Sequence, residues 1–235
     1  MSQGKSPMKD LLAAVPFVVG IVASAWGTQL AFHVAPIERT LKFSQKIFYW
    51  HAPIGMAAII VTLIGAGAAV TYLINRRLGA DRVAEACLEV AMLATAVSLI
   101  TGCIWAKPAW GDYFPLGEPR VTGMFVLLLI LACYFAVRSS VEEPLRRARI
   151  SGVMAIIGAI NGLVAYFAIH IWNTTHPTVF TAREARLEET MLRAFLWCLV
   201  GTVCLTVVLI RQRLRYARLR DDLESCEQLL MEREA

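Results

Sequence analysis

The sequence predicts an all-α fold: a polytopic integral membrane protein of six transmembrane helices with both termini in the cytoplasm. Three observations lead there. Hydrophobic residues make up 57% of the chain and charged residues 17%, with a mean hydropathy of +0.58, too apolar for a soluble domain of this length. Six segments approach the about 20 helical residues needed to span hydrocarbon. With the N-terminus inside, 15 of the 23 Lys and Arg residues fall on the cytoplasmic side, the bias that orients membrane proteins. The net charge of +5 is then an inner-leaflet anchor, and no nucleic-acid partner is needed to explain it.

The first span is Leu11–Phe32, preceded by Lys5 and Lys9. Ala23-Ser24-Ala25 inside it resembles a signal-peptide cleavage site, but the apolar run continues well past that point, which favours a retained helix. Residues 33–51 form the first outer loop, and Ala52–Ile74 the second span. Arg76, Arg77 and Arg82 mark the inner turn before the third span, Ala84–Ala106. Glu85 and Glu89 at its inner start are placed to pair with Arg82 or to meet water. Residues 107–120 return outside, and Val121–Val137 crosses inward to Arg138, Arg146, Arg147 and Arg149.

The fifth span, Ser151–Trp172, carries Asn161 in the run Gly158-Ala159-Ile160-Asn161-Gly162. Small residues four apart with an amide between them point to helix packing through an interhelical hydrogen bond rather than to an intramembrane functional site. Residues 173–190 are the third outer loop, and Met191–Ile210 is the sixth span. Residues 1–210 therefore form one membrane domain. Residues 211–235 read as a cytoplasmic helix, lying on the membrane surface or docked on a partner, or else as a frayed tail; five arginines precede acidic residues, with Tyr216, Leu219, Leu223, Cys226 and Leu230 in a 3-4-3-4 seam.

Several functions lose support. The six cysteines form no C-x-x-C pair, so thiol-relay and zinc-site readings lack a basis. No G-x-x-x-x-G-K-[ST] occurs, so the chain does not itself hydrolyse ATP through a P-loop.

Two histidines meet on the outer face. His51 closes the first outer loop, in Tyr49-Trp50-His51-Ala52-Pro53, and His176 follows Trp172-Asn173-Thr174-Thr175 in the third. Trp26, Trp50, Trp105, Trp110, Trp172 and Trp197 all lie at outer ends or in outer halves of their spans. An interfacial belt accounts for part of this pattern; the rest suggests a flat apolar platform. A porphyrin is an aromatic plate whose iron accepts axial imidazoles, so the pair reads either as interfacial polar residues or as haem ligands. His33 lacks the aromatic setting and reads as a surface residue. His170 reads as a polar residue near an outer helix end.

Three separated motifs resemble one family. The run from Ala35-Pro36 through Gln45 to Lys46-Ile47-Phe48-Tyr49-Trp50-His51-Ala52-Pro53 is similar to the first outer loop of the CcmC/CcsA haem-handling proteins of cytochrome c biogenesis, and of CcmC in particular. Ser98-Leu99-Ile100-Thr101-Gly102 with Lys107-Pro108-Ala109-Trp110-Gly111 resembles the entry to that family's tryptophan-rich loop. Trp172-Asn173-Thr174-Thr175-His176 resembles its third-loop histidine motif. The resemblance implies a non-covalent haem b held by His51 and His176 as axial ligands. It further implies Trp110, Gly111, Tyr113, Phe114, Arg120, Trp172 and Trp50 as cofactor-binding residues.

The second loop departs from the family pattern W-G-x-W-W-x-W-D-x-R-L-T. Here Trp110, Gly111, Arg120 and Thr122 carry over, three tryptophans are missing, and Glu118 stands in place of the aspartate in a loop one residue longer. Tyr113 and Phe114 still offer aromatic faces, so the expectation is retained haem binding with an altered handover.

The function implied is that of a haem-binding protein, not an enzyme, in the bacterial inner membrane. It presents haem on the periplasmic side to a CcmE-type chaperone and works with the ABC-transporter subunits of cytochrome c maturation. Two other readings stand beside it: a diverged scaffold without haem, which the altered loop favours, and a membrane electron-transfer cytochrome. The cytochrome would place ligands at two depths inside the spans, where only His170 lies.

Overall fold

The computed structural model describes residues 7–172, 174–177, 179 and 187–234; Lys5 and Asn173 lie outside them. The described chain is helical apart from its connections. Its helices are α1 (Pro7–Gln29), α2 (Phe48–Asn75), α3 (Leu78–Trp110), α4 (Pro119–Ser140), α5 (Pro144–Ile171) and α6 (Glu189–Glu234). A π-helical turn, Leu30–Val34, prolongs α1, and a 3-10 turn, Phe43–Ile47, leads into α2. All six helices are long and apolar enough to cross a membrane, as the sequence predicts.

α2 sits centrally against α3, α5 and α6, while α1 packs on α6 and α4 on α5. In lipid, helices gain little from burying apolar surface and associate through close contact of small residues. A Cβ on Gly27 would lie 2.7 Å from the Cys198 backbone nitrogen, and one on Gly123 would lie 2.7 Å from the Ala165 Cβ. Those glycines bring α1 onto α6 and α4 onto α5. Asn161 Nδ2 donates to the Gly123 carbonyl at 2.9 Å, the interhelical amide bond its sequence setting suggests. Val18, Ile60, Ile100 and Ile160 remain exposed along the bundle's outer faces, where lipid tails would cover them.

The helices outrun the predicted spans. α2 begins at Phe48 rather than Ala52, and α3 runs from Leu78 to Trp110 rather than from Ala84 to Ala106. Hydropathy finds the part of a helix that fits the hydrocarbon slab, whereas hydrogen bonding continues into the interface where charged residues are tolerated. His51 and Trp110 therefore stand on helices, and the second outer connection shrinks to residues 111–118.

At the arginine-rich end, Arg138 of α4 is buried and makes a two-pronged pair with Asp81 of α3, at 2.8 and 3.0 Å. It also donates to Glu85 at 2.9 Å and Ser151 at 3.0 Å. The planar fork of arginine suits this bidentate geometry. α6 continues through the predicted tail as one helix, and its root is tied to α3 by Arg213–Glu89 and by Arg82–Asp221 at 2.7 Å. Glu85 and Glu89 thus pair with Arg138 and Arg213, and Arg82 with the tail.

Candidate haem site at the histidine end

A cavity of about 420 Å³ opens at the end opposite Arg138, bounded by α2, α3, α4, α5 and the segment carrying His176. Its size is that of a small-molecule pocket, and its wall is mainly apolar with a few convergent polar groups. His51, Trp110, Tyr113, Arg120 and His176 all line it. Two histidines 125 positions apart in sequence thus face one space.

His51 occupies the first turn of α2, and its Nδ1 lies 3.1 Å from the Thr101 hydroxyl of α3. That hydroxyl has one proton and two carbonyls within reach, Val97 at 2.8 Å and Ser98 at 3.1 Å. With that proton given to either carbonyl, the hydroxyl accepts from His51; Nδ1 then carries the hydrogen and Nε2 keeps its lone pair. A metal-binding histidine is oriented in this way, with one ring nitrogen tied back and the other free. Gly102 leaves the room: a Cβ there would lie 3.0 Å from His51 Cε1.

His176 is held differently. Its ring lies beside Trp105 and Trp110, with centroids 6.3 and 6.0 Å away, and the two indoles meet edge to face at 5.1 Å. Arg120 Nη1 is 3.5 Å from His176 Nδ1, while Nη2 donates to the Tyr166 carbonyl at 2.9 Å. Burial pushes the His176 imidazolium down to about 4, and the neighbouring Arg120 cation pushes the same way. A neutral imidazole is the form that ligates metal.

The other expected site residues do not line the cavity. Gly111 ends α3 in a left-handed conformation, φ +81°, its N–H bonded to the Lys107 carbonyl. Glycine adopts that geometry without Cβ strain. Phe114 packs edge to face on Phe125 at 5.3 Å. Trp50 turns to α1, where its Nε1 donates to Thr28 at 3.2 Å. Trp172 follows α5 and is about half exposed. His33 is exposed on the π-helical turn, 3.3 Å from the Gln29 carbonyl, in keeping with a surface role. The His170 side chain lies outside the described set.

Sequence reasoning places Trp105 only among the outer tryptophans, and Thr101 and Gly102 only in a motif, without assigning any of the three to the site. With α3 running to Trp110, Ser98, Gly102, Ala106 and Trp110 fall four apart on one helix face, and all four line the cavity. Ending the helix at Ala106 hides that stripe.

The family described as CcmC, heme exporter protein C, matches residues 5–228. The chain is 30% identical over 167 residues to a heme exporter protein C of Paracoccus denitrificans, covering 71% of this chain and 69% of the relative. It is 26% identical over 204 residues to that of Escherichia coli K12, covering 87% and 81%. It is 29% identical over 219 residues to that of Haemophilus influenzae, covering 92% and 86%.

Proposed function

The chain belongs to the CcmC family, heme exporter protein C, and on that premise we propose that it binds one haem b without a covalent bond, between His51 and His176. The cavity faces the periplasm, and the cargo passes from it to a CcmE-type chaperone. The observation that carries this reading is the convergence of both imidazoles on one largely apolar cavity, one tied back at Nδ1 to Thr101 and the other pushed toward its neutral form by burial.

The residues fit such a cargo. Two neutral imidazoles from separate elements match the axial demand of haem iron. Trp105 and Trp110 supply apolar area, whose burial stabilises by about 25 cal/mol per Å². Arg120 lines the cavity and offers N–H groups for a charge-assisted bond to a propionate. Tyr113, at the exposed rim beneath Lys107 Nζ at 5.2 Å, stands where a departing ligand would pass. No residue is assigned a bond-making step: the protein holds, orients and releases. The arginine-rich end and the α6 extension face the cytoplasm, where ABC-transporter subunits of the maturation system would meet them.

Co-expression with a CcmE-type chaperone tests this. Wild-type protein should yield haem-loaded chaperone, His51→Ala and His176→Ala should each lower the yield at least about tenfold, and His33→Ala should not. Equal loading in all four would reject the assignment, and the scaffold reading would then take its place.

A further inference from the structure

We infer that Glu118 is a positioning residue that holds His176 at the cavity, a role that rests on the haem reading above. Glu118 stands immediately before α4 and is 5% exposed. Its side chain points to the segment before His176. Thr174 donates its hydroxyl proton to Oε1. Thr175 donates twice to Oε2, from its backbone N–H at 3.2 Å and its hydroxyl at 3.1 Å. The His176 N–H then donates to Thr174 Oγ1 at 3.1 Å. A carboxylate is the only side chain that accepts at both oxygens, and hydrogen bonds to a charged acceptor exceed neutral ones in strength.

The consequence is a mechanical link. Two residues later, in the first turn of α4, Arg120 stands beside the His176 ring, so the start of that helix contacts both the backbone and the imidazole of that residue. The connection 111–118 carries Tyr113 on the cavity rim and ends at Glu118. A force on that connection is therefore passed to one of the two histidines, while His51, seated by α2 and α3, stays in place. Release of the cargo would begin by loosening His176.

Two variants attack the link from opposite sides. Glu118→Met keeps the length but removes both acceptor oxygens, so the contacts from Thr174 and Thr175 all fail. Thr174→Val with Thr175→Val removes both hydroxyls and leaves Glu118 intact. In the unloaded protein in lipid nanodiscs, amide hydrogen exchange over 174–177 should quicken at least about tenfold in each. In haem-reconstituted protein, each should shift the low-spin spectrum toward that of His176→Ala, with His51-dependent binding retained. Unchanged exchange in both variants overturns the link. Faster exchange with a wild-type spectrum overturns the positioning role. Should wild-type protein take up no haem, the functional reading fails, while the exchange result still decides whether the link exists.

Discussion

His51 Nδ1 lies 3.1 Å from the Thr101 hydroxyl, which also reaches the Val97 and Ser98 carbonyls at 2.8 and 3.1 Å. A threonine thereby ties back one ring nitrogen of a histidine 50 positions away, with Gly102 beside it leaving space for the ring. Both features belong to α3, so the pairing of α2 and α3 also sets one half of the site.

This seat is directly testable. Thr101→Val removes the acceptor and should weaken haem retention about 10–100-fold, the usual effect of losing a partner that orients a ligand, whereas Thr101→Ser should retain it. Gly102→Ala forces a methyl within 3.0 Å of His51 Cε1 and should weaken retention comparably. Gly67→Ala, which meets nothing within 4 Å, is the matched control. Haem content after purification reads all four.

The acid dependence follows from His176. Its folded-state value is about 4 against 6.5 for the free side chain, so between those values the unfolded chain binds more protons than the folded one. Stability from this residue is full above 6.5, falls with falling pH through the window and levels below it. Arg120→Leu removes a cation that opposes protonation, and should move the His176 midpoint upward. Acid titration of tryptophan fluorescence in the unloaded protein, with His176→Ala as the blank, reads the midpoint through Trp105 and Trp110. A midpoint near 6.5 in the wild type would contradict the assignment.

At the other end, Arg138 is enclosed with Asp81, Glu85 and Ser151. Arg138→Met strands a buried carboxylate and should cost about 3–5 kcal/mol, while Arg138→Met with Asp81→Leu should recover part of the loss. Thermal unfolding in a fixed detergent measures both. The double variant proving no more stable than the single would contradict the pairing.

Orientation has its own test. If the Lys and Arg bias sets topology, a reporter fused after Ala80 should read cytoplasmic and one after Gly117 periplasmic. The reverse result at Gly117 would turn the histidine cavity toward the cytoplasm.

The six spans are legible in the sequence because lipid demands long uninterrupted apolar helices, a signal that averages over many residues. His51 and His176 are legible too, since counting spans puts both on one face. Helix ends are not: Trp110 reads as a loop residue because Lys107 and Pro108 break the hydropathy window, though the helix runs through both. Rotation about a helix axis is equally hidden. Trp50 adjoins His51 in sequence yet turns to Thr28 of α1, because neighbours on a helix point about 100° apart. Glu118 shows in the sequence only as a departure from the family pattern, since its partners Thr174 and Thr175 lie 56 and 57 positions away.

The central claim is that His51 and His176 together ligate one haem, and the absorption spectrum of purified, haem-reconstituted protein tests it most directly. The account predicts a low-spin bis-imidazole spectrum for the wild type and for His33→Ala, lost or converted in His51→Ala and in His176→Ala. A wild-type spectrum in both ligand variants, or no haem bound by the wild type, would contradict it.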